Sequence, residues 1–253
     1  MKKNFKYLIF GLLALIIIAL FLYVFLIQKK LTPNKENLPG AYTIADVVAD
    51  IDGNLYHTVK IGNQVWLVEN LKTTHYANGD PIPNVTDPDT WGGLTTGAFC
   101  WYNNDSKIGE VYGALYNWYT TADPRGLAIE GWHVPTHDEW LTLETFLGGQ
   151  IAAYPKLMED GLAHWKEPTG AQKVFGTNAS GFTALPNGTI ALDSEFKKFM
   201  FMNLGESASW WTSSLFGPGA EMTRISIGYW FLDSGVINDQ TRGNGIRLVK
   251  DAE

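Results

Sequence analysis

From Tyr7 to Ile27 the chain is apolar and free of charge, with Lys2, Lys3 and Lys6 before it and Gln28-Lys29-Lys30 after it. Roughly 20 apolar residues cross a bilayer core, so residues 1–28 predict one N-terminal transmembrane helix acting as a signal anchor. A cleaved signal peptide is the rival. It has a shorter apolar region and a small-x-small cleavage site, whereas this run is long and no Ala-x-Ala follows it. A lipoprotein anchor needs an early cysteine, and the single cysteine is Cys100. Lysines flank the run on both sides, so the positive-inside bias favours an inside N-terminus by only a small margin. Residues 29–45, with Pro33, Asn37 and Pro39-Gly40, read as a polar tether, and 46–253 as one domain.

Beyond the tether the pattern changes to short alternating runs. Asp46 to Lys72 predicts a β-meander: Tyr56–Ile61 and Gln64–Leu71 are rich in β-branched and aromatic residues, with Asp52-Gly53-Asn54 and Gly62-Asn63 as turns. Ala77–Thr96 carries Pro81, Pro83 and Pro88 and reads as loop. Leu115, Trp118, Tyr119 and Ala122 share one face of a short helix that Asp123-Pro124 ends. A second helix begins at Thr136, where Glu139 completes a capping box and Pro135 and Trp140 stand as a hydrophobic staple. It buries Trp140, Leu143 and Leu147 and stops at Gly148-Gly149. Gly149–Ser180 shows no period and reads as loops and short turns. From Ser209 the runs Trp210–Ser213, Arg224–Phe231 and Ile246–Lys250 predict strands. Two short helices among many short strands make a mixed α+β domain.

Composition narrows the partners. Of 19 basic and 26 acidic residues, six and one lie in residues 1–45, leaving 13 and 25 in the domain, a net charge of about −12. Such a field repels phosphate backbones and anionic headgroups, so nucleic acid is not an expected partner.

Ordered motifs add a resemblance. Asp50-Ile51-Asp52-Gly53-Asn54-Leu55-Tyr56 leads to Ile61-Gly62-Asn63-Gln64-Val65-Trp66 and Glu69-Asn70-Leu71. Cys100-Trp101-Tyr102-Asn103-Asn104-Asp105, Tyr112-Gly113-Ala114-Leu115-Tyr116-Asn117-Trp118 and Gly131-Trp132-His133-Val134-Pro135-Thr136 follow. Ser180-Gly181-Phe182-Thr183-Ala184-Leu185-Pro186, Trp210-Trp211-Thr212-Ser213-Ser214 and Gly245-Ile246-Arg247-Leu248-Val249-Lys250-Asp251 close the series. In this order they resemble the Fibrobacter succinogenes major paralogous domain family over about residues 46 to 253. The Pro-Thr-x-x-Glu-Trp helix and the closing Arg-Leu-Val strand are distantly similar to the formylglycine-generating-enzyme group of C-type-lectin-like folds. The resemblance implies a C-type-lectin-like domain exported across the membrane. The family name denotes a paralogue group and no activity. Relatives carry cysteine where this chain has Ala128 and Leu248, which implies that packing here replaces a bridge.

Candidate chemistry is sparse. Asp50-x-Asp52-x-Asn54 opens like a calcium loop, but Leu55 and Ile61 stand where an EF-hand needs glycine and glutamate, so a hairpin turn is the better reading. Asn103, Asn104 and Asp105 read as Asx residues closing a strand rather than as calcium ligands. His133 and His137 have Pro135 and the Thr136 cap between them and cannot share a helical face as a zinc pair does. Cys100, inside an aromatic run, reads as a small buried hydrophobe. One cysteine cannot supply the paired thiols and copper through which formylglycine-generating enzymes act. The expectation is a domain with no metal, no cofactor and no catalysis.

The expected ligand face is the C-terminal segment. Ile225 and Ile227 turn one strand face inward, which leaves Arg224, Ser226 and part of the Tyr229-Trp230-Phe231 run outward. Exposed Tyr, Trp and Arg dominate binding hot spots. Phe216, Arg224, Tyr229, Trp230, Phe231 and Asp233 are the candidate contacts, presented by loop-like stretches at Gly217–Gly219 and Gly235–Thr241. The same end resembles retroelement-diversified variable proteins, which display changeable binding residues on a rigid lectin-like scaffold. The expectation is a membrane-anchored extracytoplasmic recognition or adhesion domain for a protein or glycan. The alternatives are an enzyme on the formylglycine-generating scaffold and a structural part of a surface assembly.

Overall fold

The computed structural model describes residues 43–127, 129–168, 173–216, 219–226, 233–237 and 239–251, without the side chains of 43–45, 216 and 233–237. The N-terminal span at 7–27, the tether to residue 42 and Ala128 lie outside the described residues. Among the described residues, no helix is long and apolar enough to cross a membrane.

The domain is a mixture of short helices and antiparallel sheets. The first sheet has the order β1-β2-β3-β11, from β1 (Thr43–Ala49), β2 (Leu55–Ile61), β3 (Gln64–Leu67) and β11 (Val249–Asp251), so the two ends of the domain lie in one sheet. The expected meander is there, with β3 ending at Leu67 rather than Leu71. Beyond it the backbone of Leu67 and Leu71 bonds to the carbonyls of Leu248 and Ile246, so pairing continues outside regular strand geometry. All four residues of β3 are buried, because the sheet is covered on both faces there. The Asp50–Asn54 turn is a hairpin, as its residues suggest. Asp50 Oδ1 accepts the backbone N–H groups of Asp52 and Asn54, and its Oδ2 accepts the Asn54 amide and the Tyr56 hydroxyl.

The helices are more numerous than the two expected. They are α1 (Pro88–Gly92), α2 (Ser106–Tyr112), α3 (Trp118–Thr121), α4 (His137–Phe146) and α5 (Gln150–Leu157), with a 3-10 turn at Tyr102–Asn104. α1 corrects the loop reading of Ala77–Thr96: Asp87 caps it and Pro88 sits where a helix needs no N–H. Asn103 and Asn104 do follow a strand, β4 (Phe99–Cys100), in left-handed conformations. Asp105 then caps α2 through the Lys107 N–H, so the run closes a strand and also opens a helix. Leu115 belongs to β5 (Leu115–Tyr116), not to the helix beginning at Trp118; its side chain faces the core in either conformation, which is why periodicity misled. α5 corrects the loop reading of Gly149–Ser180. Pro155 inside it hides the helical signal, yet Ala153, Tyr154 and Leu157 are buried on one face.

The capping box is formed. Thr136 Oγ1 accepts the Glu139 N–H at 3.2 Å and Glu139 Oε2 accepts the Thr136 N–H at 2.7 Å. Trp140, Leu143 and Leu147 are buried, and the helix stops ahead of Gly148, which has φ 103°.

A hairpin absent from the sequence reading, β6 (Asn187–Asp193) with β7 (Lys198–Leu204), forms a two-stranded sheet. A three-stranded sheet has the order β10-β9-β8, from β8 (Ser207–Phe216), β9 (Gly219–Ser226) and β10 (Asp233–Ile237). β9 starts earlier than the Arg224 expected. The loop reading of Gly235–Thr241 is corrected, because Gly235–Ile237 pairs residue for residue with β9, from Gly235 opposite Met222 to Ile237 opposite Ala220. Main-chain pairing on an edge strand tolerates the small and polar residues that read as a loop.

The C-terminal segment laces these sheets together. Gly243 exchanges backbone bonds with Ile190 of β6, and Asn244 with Tyr116 of β5. Gly245 donates to Ser209 and accepts from Trp211, and Val249 exchanges bonds with His133. A Cβ on Gly243 would lie 2.4 Å from Ile190 Cγ2, and one on Gly245 2.6 Å from Asn187 Nδ2, which accounts for Gly-Asn-Gly. One core cluster gathers Trp66, Trp140, Phe182 and Trp210 and a second Tyr116, Trp118, Trp132 and Trp211. A third, with Trp91, Cys100 and Ile190, sits under the hairpin.

Candidate functional site

Arg224 lies on β9, the central strand of the C-terminal sheet, opposite Ser209 on β8 and Asp233 on β10. Its neighbour Ile225 is fully buried, while Arg224 and Ser226 are half-buried, as strand alternation requires. Phe216 ends β8 opposite Gly219, and Asp233 opens β10, so both are strand residues. Tyr229, Trp230 and Phe231, with Ile227, lie outside the described residues.

The sequence reading missed Arg242. Burial lowers the Arg242 pKa from its usual value; Asp239 opposes this and the charge of Arg224 adds to it. Its buried Nε has no hydrogen-bond partner. Two guanidinium groups thus influence each other in a domain that is otherwise strongly acidic. A pair of this kind can take up an anionic or hydrogen-bond-accepting group, since guanidinium donors match carboxylate geometry.

A third arginine has a structural task. Arg247 is fully buried, and its guanidinium donates to Asn70 Oδ1 from Nε (3.0 Å) and Nη2 (2.7 Å). Its Nη1 donates to the carbonyls of Leu67 (3.1 Å) and Phe182 (2.7 Å). The Phe182 ring lies 4.3 Å from the guanidinium carbon. Burial pulls its pKa down to about 9, against the pull of Glu69. The signal was one arginine inside the apolar run Gly-Ile-Arg-Leu-Val.

Other polar groups are committed within the fold. His133 pairs with Glu139 at 2.6 Å and His137 with Glu221 at 3.7 Å, so the two histidines serve different carboxylates. His75 pairs with Asp52, whose second oxygen accepts from Thr73 and Thr74. Cys100 is buried, and burial raises its thiol pKa far above the ordinary range. The thiolate that nucleophilic or copper chemistry uses is disfavoured there.

A shallow cleft of about 430 Å³ runs beside β7, lined by Asp87, Pro88, Asp89, Asn103 and Lys198–Phe201. Phe199 lies over Gly92 of α1, where a Cβ would come within 2.6 Å of its ring, and Phe201 contacts the Tyr102 ring at 5.2 Å.

Residues 59–250 match the family model described as the Fibrobacter succinogenes major domain, and the chain belongs to that family. No curated protein and no solved structure matches the chain.

Proposed function

We propose that this member of the Fibrobacter succinogenes major domain family is a non-catalytic recognition or adhesion domain of C-type-lectin-like fold. It is held outside the cytoplasm by residues 7–27 and binds a protein or glycan through its C-terminal segment. The observation that carries this reading is Arg224, half-buried on the central strand of the β8–β9–β10 sheet, with the charge of Arg242 acting on it. Arg224 alternates with the buried Ile225, and its charge acts on Arg242, which belongs to the segment that laces the domain together. A binding group fixed on a paired strand loses little freedom when ligand arrives, which favours recognition over display on a loose loop. The Tyr229-Trp230-Phe231 run between β9 and β10 would supply the aromatic contacts of such a face. The burial of Cys100 argues against the cysteine chemistry of the formylglycine-generating scaffold.

The test is a glycan and protein array probed with the full chain, followed by Arg224→Ala, Arg242→Ala and Trp230→Ala on whatever binds. Each should weaken binding by about 1–3 kcal/mol with an unchanged unfolding midpoint. Variants that unfold the domain without a separable loss of binding would place the face elsewhere.

A further inference from the structure

The β7 edge carries an inference independent of the Arg224 face, since different strands build it. In an antiparallel ladder a residue turns its N–H and C=O to the same side. Ile190 of β6 spends both on Gly243, donating at 3.1 Å and accepting at 2.8 Å. Ile190 therefore has neither left for its β7 partner Phe201, and the Phe201 N–H and C=O must point away from β6. With the period of two, the same holds for Phe199, opposite Leu192. Among the described residues, no strand or isolated bridge pairs with that outer edge.

The edge borders the cleft beside α1, which is a groove with unspent main-chain groups along one wall. Its opposite wall carries the exposed carboxylates Asp87 and Asp89, against the single ammonium of Lys198. Asp87 already accepts from the Thr90 N–H and hydroxyl, which leaves Asp89 the freer of the two. Apolar surface continues at the hairpin tip, where Leu192 is 51% and Phe196 61% exposed. Natural edge strands are shielded from chance pairing by charge or cover, and a Phe-Met-Phe-Met edge has little of either.

We propose that β7 accepts an extended polypeptide segment bearing a lysine or arginine, added as a third strand to the β6–β7 sheet with its basic side chain toward Asp89. Main-chain pairing supplies affinity in this mode and alternate side chains supply selectivity. A glycan fits less well. The rings of Phe199 and Phe201 are turned into the cluster around Trp91 and Tyr102, and the exposed Phe196 ring stands at the hairpin tip outside the groove's lining, so the groove itself offers a sugar no aromatic platform.

The test uses the full chain in detergent micelles and a displayed library of linear dodecapeptides. Enrichment of basic, strand-forming sequences is expected. A synthetic peptide of that type should bind Asp89→Lys and Asp89→Asn variants more weakly, the first by on the order of tenfold. N-methylation along the peptide should abolish binding at every second residue only, and Arg224→Ala should leave peptide binding unchanged. Failure to enrich any sequence would overturn the proposal. So would N-methylation effects without a two-residue period, or binding indifferent to both Asp89 variants. Glycan binding that the Asp89→Lys change removes would assign the groove to sugars instead. A dimer dissociated by Asp89→Lys would assign it to a second copy of this chain.

Discussion

The guanidinium of Arg247 donates two hydrogen bonds to one oxygen of Asn70, a residue 177 positions earlier in the chain. The same amide oxygen also accepts from the Trp210 indole at 2.8 Å, and the Asn70 amide nitrogen donates to the Tyr112 carbonyl. Asn70 and Arg247 thereby join the first sheet, the C-terminal segment, α2 and β8 at one buried point.

Loss of that pairing should be severe. Arg247→Ala strips donors from the buried carbonyls of Leu67 and Phe182, and Asn70→Ala leaves a buried cation short of acceptors. Removing one partner of a buried charged network typically costs 3–5 kcal/mol. Each variant should lower the unfolding free energy read from a urea titration by an amount in that range. Arg247→Lys should also destabilise, because an ammonium cannot reach three acceptors through a planar fork. An unfolding free energy within about 0.5 kcal/mol of the parent for Asn70→Ala would show that the contact is incidental.

The Thr136 cap gives a smaller, sharper test. Thr136→Ala removes the acceptor for the Glu139 N–H and should cost about 1 kcal/mol. Glu139 and Asp52 also contribute to the acid limb. Burial raises both pKa values, but bonds from the Thr136 N–H and His133 to Glu139, and from the Thr74 N–H and His75 to Asp52, outweigh it and bring both below their usual values. Groups depressed in this way add stability that is complete above the ordinary carboxylate range near pH 4 and is lost as pH falls through their folded values. Unfolding midpoints measured from pH 6 down to pH 2 should therefore decline less steeply for Asp52→Asn and Glu139→Gln than for the parent. Equal slopes would refute the assignment.

Two glycines should differ in kind. At Gly148 the residue has φ 103°, and a methyl group meets Ala152 Cβ at 3.3 Å, so Gly148→Ala pays mostly backbone strain, about 1–2 kcal/mol. At Gly243 the obstacle is steric, with Ile190 Cγ2 at 2.4 Å and Trp91 at 3.0 Å from the new carbon. Both side chains are fully buried, so neither can swing aside into solvent. Gly243→Ala should cost more than Gly148→Ala, at the upper end of the roughly 1–3 kcal/mol seen for overpacking. The reverse order in thermal unfolding would contradict this packing.

The proposed anchor is tested outside the fold. The uncharged run from Tyr7 to Ile27 should keep the protein in the membrane fraction through high-salt and carbonate washes. Recovery of soluble protein beginning after residue 27 would mean that the segment is cleaved.

Local chemistry was readable wherever a few adjacent residues decide it. The Thr136–Glu139 box, the Asp50–Asn54 turn, the inward Ile225 beside Arg224 and the ordered motifs of the family all follow from chain neighbours. So does the mixed α+β class, since each element carries its own period. Hidden signals were equally local: Pro155 masked α5, and the small residues of Asp233–Ile237 masked an edge strand. What tertiary structure alone decided is how distant segments share hydrogen bonds. Nothing near Arg247 in the chain names Asn70 as its acceptor, and nothing near Arg242 brings it within reach of the charge of Arg224. That Ile190 turns its main-chain groups to Gly243, and Phe201 its own away from β6, follows from segments 53 residues apart meeting, and among the described residues no strand pairs with that outer edge of β7. Periodicity reports which face of an element is apolar; which partner satisfies a buried donor depends on segments meeting in space, and that pairing has no local period to reveal it.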